Sequence, residues 1–194
     1  RRMMARRSVR RAAAAAALAI AAATAGGTAT GSGGFSETYD VYFGGFRIGE
    51  ARLRAELGPD GYSARARART EGLLAFAYEA NFAAEAAGAG DPSAPRPARF
   101  SVDGTFDGEP ASITMTYDAE GVARVAADPP LRERSYDLPP ERAAGALDPL
   151  SAALAVRAPR PGAAPCGRTI PVYEGRRGVD IELDDGARRG DAVS

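Results

Sequence analysis

The stretch from Ala51 to Arg69, ARLRAELGPDGYSARARAR, constrains the fold more than any other part of the chain. Ala51, Leu53, Ala55 and Leu57 alternate with Arg52, Arg54 and Glu56. Ala64, Ala66 and Ala68 alternate with Arg65, Arg67 and Arg69. A period of two sends successive side chains to opposite faces of an extended chain, so each half predicts a strand with one apolar and one wet face. Between the halves, Gly58-Pro59-Asp60-Gly61 supplies turn residues. The predicted unit is an antiparallel hairpin, the kind of sheet that leaves one face in water.

The same pattern recurs along the chain. Tyr39, Val41 and Phe43 alternate with Asp40 and Tyr42, and Gly44-Gly45 can break that strand. A short turn at Leu73 to Phe76 leads to a strand in which Tyr78, Ala80, Phe82 and Ala84 alternate with Glu79, Asn81 and Glu85. A proline-containing loop covers Gly88 to Ala98. Three more strands follow, with Ile113, Met115 and Tyr117 on one face and a turn at Asp118 to Gly121. One helix is predicted: Asp148 is the N-cap, Pro149 the first helical residue, and Leu150, Leu154 and Val156 face the sheet. Ile170–Tyr173 and Val179–Leu183 are strands around the turn Glu174 to Arg177. The expected fold is mainly β, an α+β arrangement: a curved antiparallel sheet or partial barrel with one helix packed on it. Trp is absent and Ala abundant, so the core must use small residues.

The start of the chain reads as a targeting segment. Six arginines precede an apolar run from Ala12 to Ala23, and small residues follow with an A-x-A-like site at Ala23-Thr24-Ala25. This is the pattern of a secretory signal peptide over residues 1–30. The run is too short for a membrane span, which needs about 20 residues, and an uncleaved anchor is the alternative. The pairs Arg6-Arg7 and Arg10-Arg11 also suit twin-arginine export. Residues 31–36 are expected to form a flexible N-terminus and 37–194 a single β-rich periplasmic domain, not an integral membrane protein after cleavage. Removing six of the 25 basic residues leaves 19 against 25 acids. An acidic mature chain argues against nucleic acid and against anionic membrane surfaces.

The residue inventory excludes several chemistries. There is no His, which removes Ser-His-Asp and Cys-His catalysis. With one Cys as well, a typical zinc site has too few ligands. No phosphate-binding or dinucleotide loop is present, and no cofactor is expected. Asp103-Gly-Thr105-Phe-Asp107-Gly108 matches the front of a calcium loop, but Thr114 stands where a bidentate Glu is needed and Pro110 lies inside, so a hairpin fits better. Arg65, Arg67 and Arg69 could form an anion ladder. A solvated strand face paired with acids such as Glu56 requires less.

With YDVYFGGFRIGEARL near the start, LDPLSAAL in the middle and Cys166 before YEGRRGVDIEL, the chain resembles a bacterial family of exported proteins, domain of unknown function 3108, over roughly Tyr39 to Leu183. Its specific pieces are Leu147-Asp148-Pro149-Leu150 and Tyr173-Glu174-Gly175-Arg176-Arg177 with Asp180; Glu174 replaces the usual Asp. The resemblance implies a periplasmic β-rich domain and assigns no activity; a more distant analogy is to lipoprotein-carrier-like folds, a curved antiparallel sheet around a helix. It also implies a second Cys beyond Ser194, so that Cys166 is a disulfide candidate and the sequence is expected to be truncated at its C-terminus. A free thiol at a true terminus is the alternative. Asp148, Pro149, Gly175, Arg176, Arg177 and Asp180 are family-motif residues of unassigned role. The structural expectation for Arg176 and Arg177 is a hairpin tip paired with Asp180 or with acids on a neighbouring strand.

The functional expectation is a non-enzymatic envelope protein binding an apolar or amphipathic, lipid-like ligand on a concave sheet floored by Ala51, Ala55, Ala64, Ala66 and Ala68 beside Tyr39, Phe43 and Phe82. The alternatives are a scaffold acting through a sheet edge and a carboxylate-dependent hydrolase. A carrier should bury a continuous apolar cavity, a scaffold should show a filled core and an unpaired edge, and a hydrolase should show converging carboxylates.

Overall fold

A computed structural model describes residues 33–43, 45–71, 80–106, 108–158, 166–184, 188–189 and 192–193. The signal-peptide segment, Gly44, the turn expected at Leu73 to Phe76 with Tyr78, and Asp107 lie outside these residues. Seven strands form one antiparallel meander in chain order: β1 (Gly33–Phe43), β2 (Phe46–Leu57), β3 (Tyr62–Thr70), β4 (Ala80–Ala89), β5 (Arg96–Phe106), β6 (Glu109–Tyr117) and β7 (Ala123–Asp128). β1 and β7 are its two edges, so the sheet is open and not a closed barrel. The helix α1 (Pro149–Arg157) follows, then the hairpin β8 (Arg168–Tyr173) and β9 (Gly178–Leu183), and two short strands β10 (Arg188–Arg189) and β11 (Ala192–Val193).

The register explains where the helix sits. Phe35, Ala55, Ala64, Ala86, Phe100, Met115 and Val125 face one another in a row across all seven strands. Residues directly opposite share a face, so this row is small in the middle and large at both sides. The three central alanines leave room for a helix, and Leu150 and Leu154 join them, Met115 and Tyr62 in one core cluster. Burying each leucine contributes about 2 kcal/mol. The other side of α1 is apolar too: Ala152 and Ala155 pack with Ile170 and Val172 of β8. The helix thus lies between the large sheet and the β8–β9 hairpin. Val156, expected against the large sheet, packs with this second cluster instead, because the hairpin covers that face.

Both ends of α1 are tied down. Asp148 caps the start. At the other end Arg157 lies 2.5 Å from Glu37 and 4.3 Å from the Phe35 ring centroid on β1. A cation in the last helical turn also complements the helix dipole. Glu37 lies on the inner face because β1 begins at Gly33, pairing with Leu57. Residues 33–36, expected to be flexible, are therefore strand: the long β2 gives them backbone partners. On the outer face Arg65 pairs with Glu85 of β4 at 3.1 Å and not with Glu56, which lies 3.8 Å from Arg54. Register decides this, since Arg65 stands opposite Glu85. Asp103 sits on β5 opposite Ser112, in the hairpin expected there.

Candidate functional site

The two motifs distant in sequence meet in space. Leu147 donates its N–H to the Pro171 carbonyl at 2.9 Å, and Tyr173 donates back to the Leu147 carbonyl at 2.8 Å. These bonds make a parallel bridge between Leu147 and Val172. The start of α1 is therefore fixed to the strand that leads into the Glu174–Arg177 turn.

Asp148 is fully buried. Its Oδ1 accepts from the backbone N–H groups of Leu150 and Ser151, both at 3.0 Å, satisfying donors that a helix start leaves free. Pro149 has no N–H to satisfy, which suits the first helical position. The Oδ2 accepts from the Ser151 hydroxyl at 2.5 Å, and Ser151 Oγ lies 2.5 Å from the Tyr62 hydroxyl of β3. Burial raises the Asp148 carboxyl above the usual range, against the opposing bonds from Ser151 and Leu150. Burial likewise raises the Tyr62 phenol, despite its bond to Ser151. The Tyr117 hydroxyl of β6 is buried without a protein partner, and its phenol is raised by burial, then by the charges of Asp148 and its tyrosine neighbours. This is a helix anchor: Asp148 and Ser151 are both 0% exposed, and through Tyr62 they tie the start of α1 to β3.

The Glu174–Arg177 turn docks on the inner face of β6 and β7. Gly175 has φ +96°, and a Cβ there would meet Ile113 Cγ2 at 3.0 Å, Val125 Cγ1 at 3.4 Å and Met115 Sδ at 3.5 Å. Glycine is therefore required twice, by backbone conformation and by space. Glu174 Oε1 accepts the Arg177 N–H at 3.1 Å; burial raises its carboxyl, against the backbone bond and the two arginines. Arg176 does not pair with Asp180. Its Nε donates to Asp137 Oδ1 at 2.6 Å and its Nη2 to Asp137 Oδ2 at 3.3 Å, and it also binds the Arg132 carbonyl. Asp180 is exposed on β9, opposite Pro171. Arg177 stacks on Tyr136, 4.4 Å from the ring centroid. The turn thus holds the segment between β7 and α1 against the sheet.

Replacing Arg176 with Ala is expected to cost only about 1 kcal/mol, because the pair with Asp137 is partly solvated. It should nevertheless release residues 130–138, seen as faster proteolysis there in limited digestion. Unchanged cleavage would remove this role.

A family model described as "Protein of unknown function (DUF3108)" matches residues 38–194. The chain belongs to this family. No curated protein and no solved structure matches it. The DUF3108 motif residues now have positions: Asp148 and Pro149 start the buried helix, Gly175 fits the turn to the sheet, and Arg176 and Arg177 clamp the segment before the helix. Sequence reading missed Tyr62, Ser151, Tyr117, Tyr136 and Asp137. The tyrosines carry no local signal, since each matches the alternation or loop around it. Ser151, three residues after an Asp cap, was the one available hint.

Cys166 lies half-buried just before β8, with no disulfide partner among the described residues. Among the described residues, no helix is long and apolar enough to cross a membrane, and no cluster of metal-ligating side chains is present.

Proposed function

We propose that this DUF3108 protein is an exported, non-enzymatic envelope protein that recruits a partner by strand addition along β1. The carrying observation is the difference between the two sheet edges. β7 has 6 residues and runs into Pro129-Pro130, which cannot donate backbone hydrogen bonds. β1 has 11 residues, contains neither Pro nor Lys, and has no strand on its outer side among the described residues. Such an edge offers a row of free N–H and C=O groups, the surface used in strand addition. The filled core agrees, since Leu150 and Leu154 occupy the space above Ala55 and Ala64. Export rests on the leader pattern of residues 1–30.

The apolar-ligand reading keeps one observation in its favour. The row Tyr39, Ala51, Ala68, Phe82, Gly104 and Ala111 sets four small residues beside two aromatics on the same inner face as the helix, displaced along the strands. The hydrolase reading has less to stand on. Among the described residues, two surface clefts are each lined by a single carboxylate, Asp137 in one and Asp180 in the second.

Strand addition is tested by placing a photo-crosslinking residue at Ser36 of β1 or at Arg124 of β7 in the exported protein. Ser36 is expected to give a discrete adduct and Arg124 none. Thr38→Lys should abolish the adduct without changing the melting temperature. Equal labelling from both edges, or labelling indifferent to the lysine, would sink the reading.

A further inference from the structure

Three guanidinium groups surround one exposed ring. The Tyr136 centroid lies 4.4 Å from Arg177 Cζ, 5.8 Å from Arg134 and 5.9 Å from Arg176. Tyr136 is 46% exposed, so the group is open to solvent. Arg176 is neutralised by Asp137. Among the described residues, neither the Arg134 nor the Arg177 guanidinium has a carboxylate oxygen within 4 Å, and the acids closest in charge to them, Asp137 and Glu174, are held by Arg176 and by the Arg177 N–H. The Arg134 guanidinium donates one bond, from Nη1 to the Tyr136 hydroxyl at 2.7 Å, while its backbone N–H donates to Asp137 Oδ2 at 2.8 Å. A guanidinium carries five N–H donors, so most of the fork stays available. Two like charges on one ring repel unless an anion bridges them, and planar forks suit an oxyanion. The phenol reports the same field: burial raises it, but the bonds from Arg177 and Arg134 outweigh that and leave it below its usual value.

An apolar cleft adjoins this cluster. It has a volume of about 380 Å³ and is walled by Val125, Ala127, Leu131 and Leu138, with Arg176 and Asp137 among its lining residues. Val125 and Ala127 belong to the inner face of β7, beside the docked Gly175. Guanidinium groups at one end and hydrocarbon walls at the other suit a molecule with the same polarity.

We propose that this surface binds a single amphiphile with one oxyanion head and a short apolar chain, the head bridged by Arg134 and Arg177 and the chain lying against Val125, Ala127 and Leu131. Two local cations act at contact distance, whereas the acidic balance of the mature chain repels an anionic bilayer. A dispersed amphiphile fits both facts.

The test is calorimetric titration of the mature protein with three probes below their micelle concentrations: dodecyl phosphate, inorganic phosphate and neutral dodecyl maltoside. Dodecyl phosphate should bind about tenfold or more tightly than either control, the loss expected for one charge-assisted contact or a few buried methylenes. Arg134→Gln with Arg177→Gln should weaken it by about tenfold or more. Leu131→Asp, at a site already 39% exposed, should weaken it similarly without disturbing the fold, and decides the matter if the double variant misfolds. Inorganic phosphate binding as tightly as dodecyl phosphate would reduce the site to an adventitious oxyanion patch. Maltoside binding as tightly would show that charge plays no part. Either result overturns the proposal.

Discussion

Asp148→Ala is expected to lower the unfolding free energy by about 2–4 kcal/mol, measured by urea denaturation at neutral pH. Losing an N-cap costs about 1 kcal/mol. Leaving the buried Ser151 and Tyr62 hydroxyls and the Leu150 and Ser151 amides short of an acceptor adds about 1–3 kcal/mol. Removing a buried carboxyl relieves its own desolvation, but the donors stay behind, so the balance is destabilising. A loss below about 0.5 kcal/mol would mean that the helix start is held by Leu147 and β8 alone.

Asp148→Asn separates geometry from charge. Asn also caps helices, so it should cost less than Ala. Burial holds the folded carboxyl above its unfolded value, so the folded state keeps a proton that the unfolded chain releases. Stability from this group is fully present below the unfolded pKa of about 3.9 and is lost as pH rises through the raised folded value. Subtracting the Asn curve from the wild-type curve should therefore leave a downward slope with rising pH, beginning near pH 4. A difference curve flat across the acid range would contradict the raised carboxyl.

Gly175→Ala should cost about 2–5 kcal/mol and lower the melting temperature by about 4–20 °C. A left-handed backbone costs a side chain about 1–2 kcal/mol. Pressing a methyl toward Ile113, Val125 and Met115 adds about 1–3 kcal/mol. Gly145→Ala is the control: its φ is +78°, yet a Cβ there meets nothing within 4 Å. It should show the backbone cost alone. Equal losses at the two positions would remove the claim that this turn is fitted to the sheet.

Much of this fold is visible in local sequence. The alternation from Ala51 to Arg69 set the strands, the faces and the Gly58–Gly61 turn, because a period of two has one extended solution. Asp148-Pro149 set the helix start for an equally local reason: one side chain satisfies free amides and the next residue has none. Glycine at the centre of the Glu174–Arg177 turn is local as well, since its φ is positive.

Contacts across the chain are not local, and the candidate sites depend on them. Nothing near Tyr62 marks it as the partner of Ser151, 89 residues away. Arg176 looks ready to pair with Asp180, yet it reaches Asp137 across 39 residues. Asp180 sits on β9 opposite Pro171, whereas residues of the Pro130–Pro140 segment share a cleft with Gly175 and Arg176. The sequence by itself determined the main strands, the helix and their faces, because those follow from side-chain period and from capping residues. Only the tertiary structure decided that the helix lies over Ala55 and Ala64, that among the described residues β1 and β7 are the sheet edges, and that three arginines share one tyrosine. Those facts depend on which strands become neighbours, and side-chain period carries no information about that.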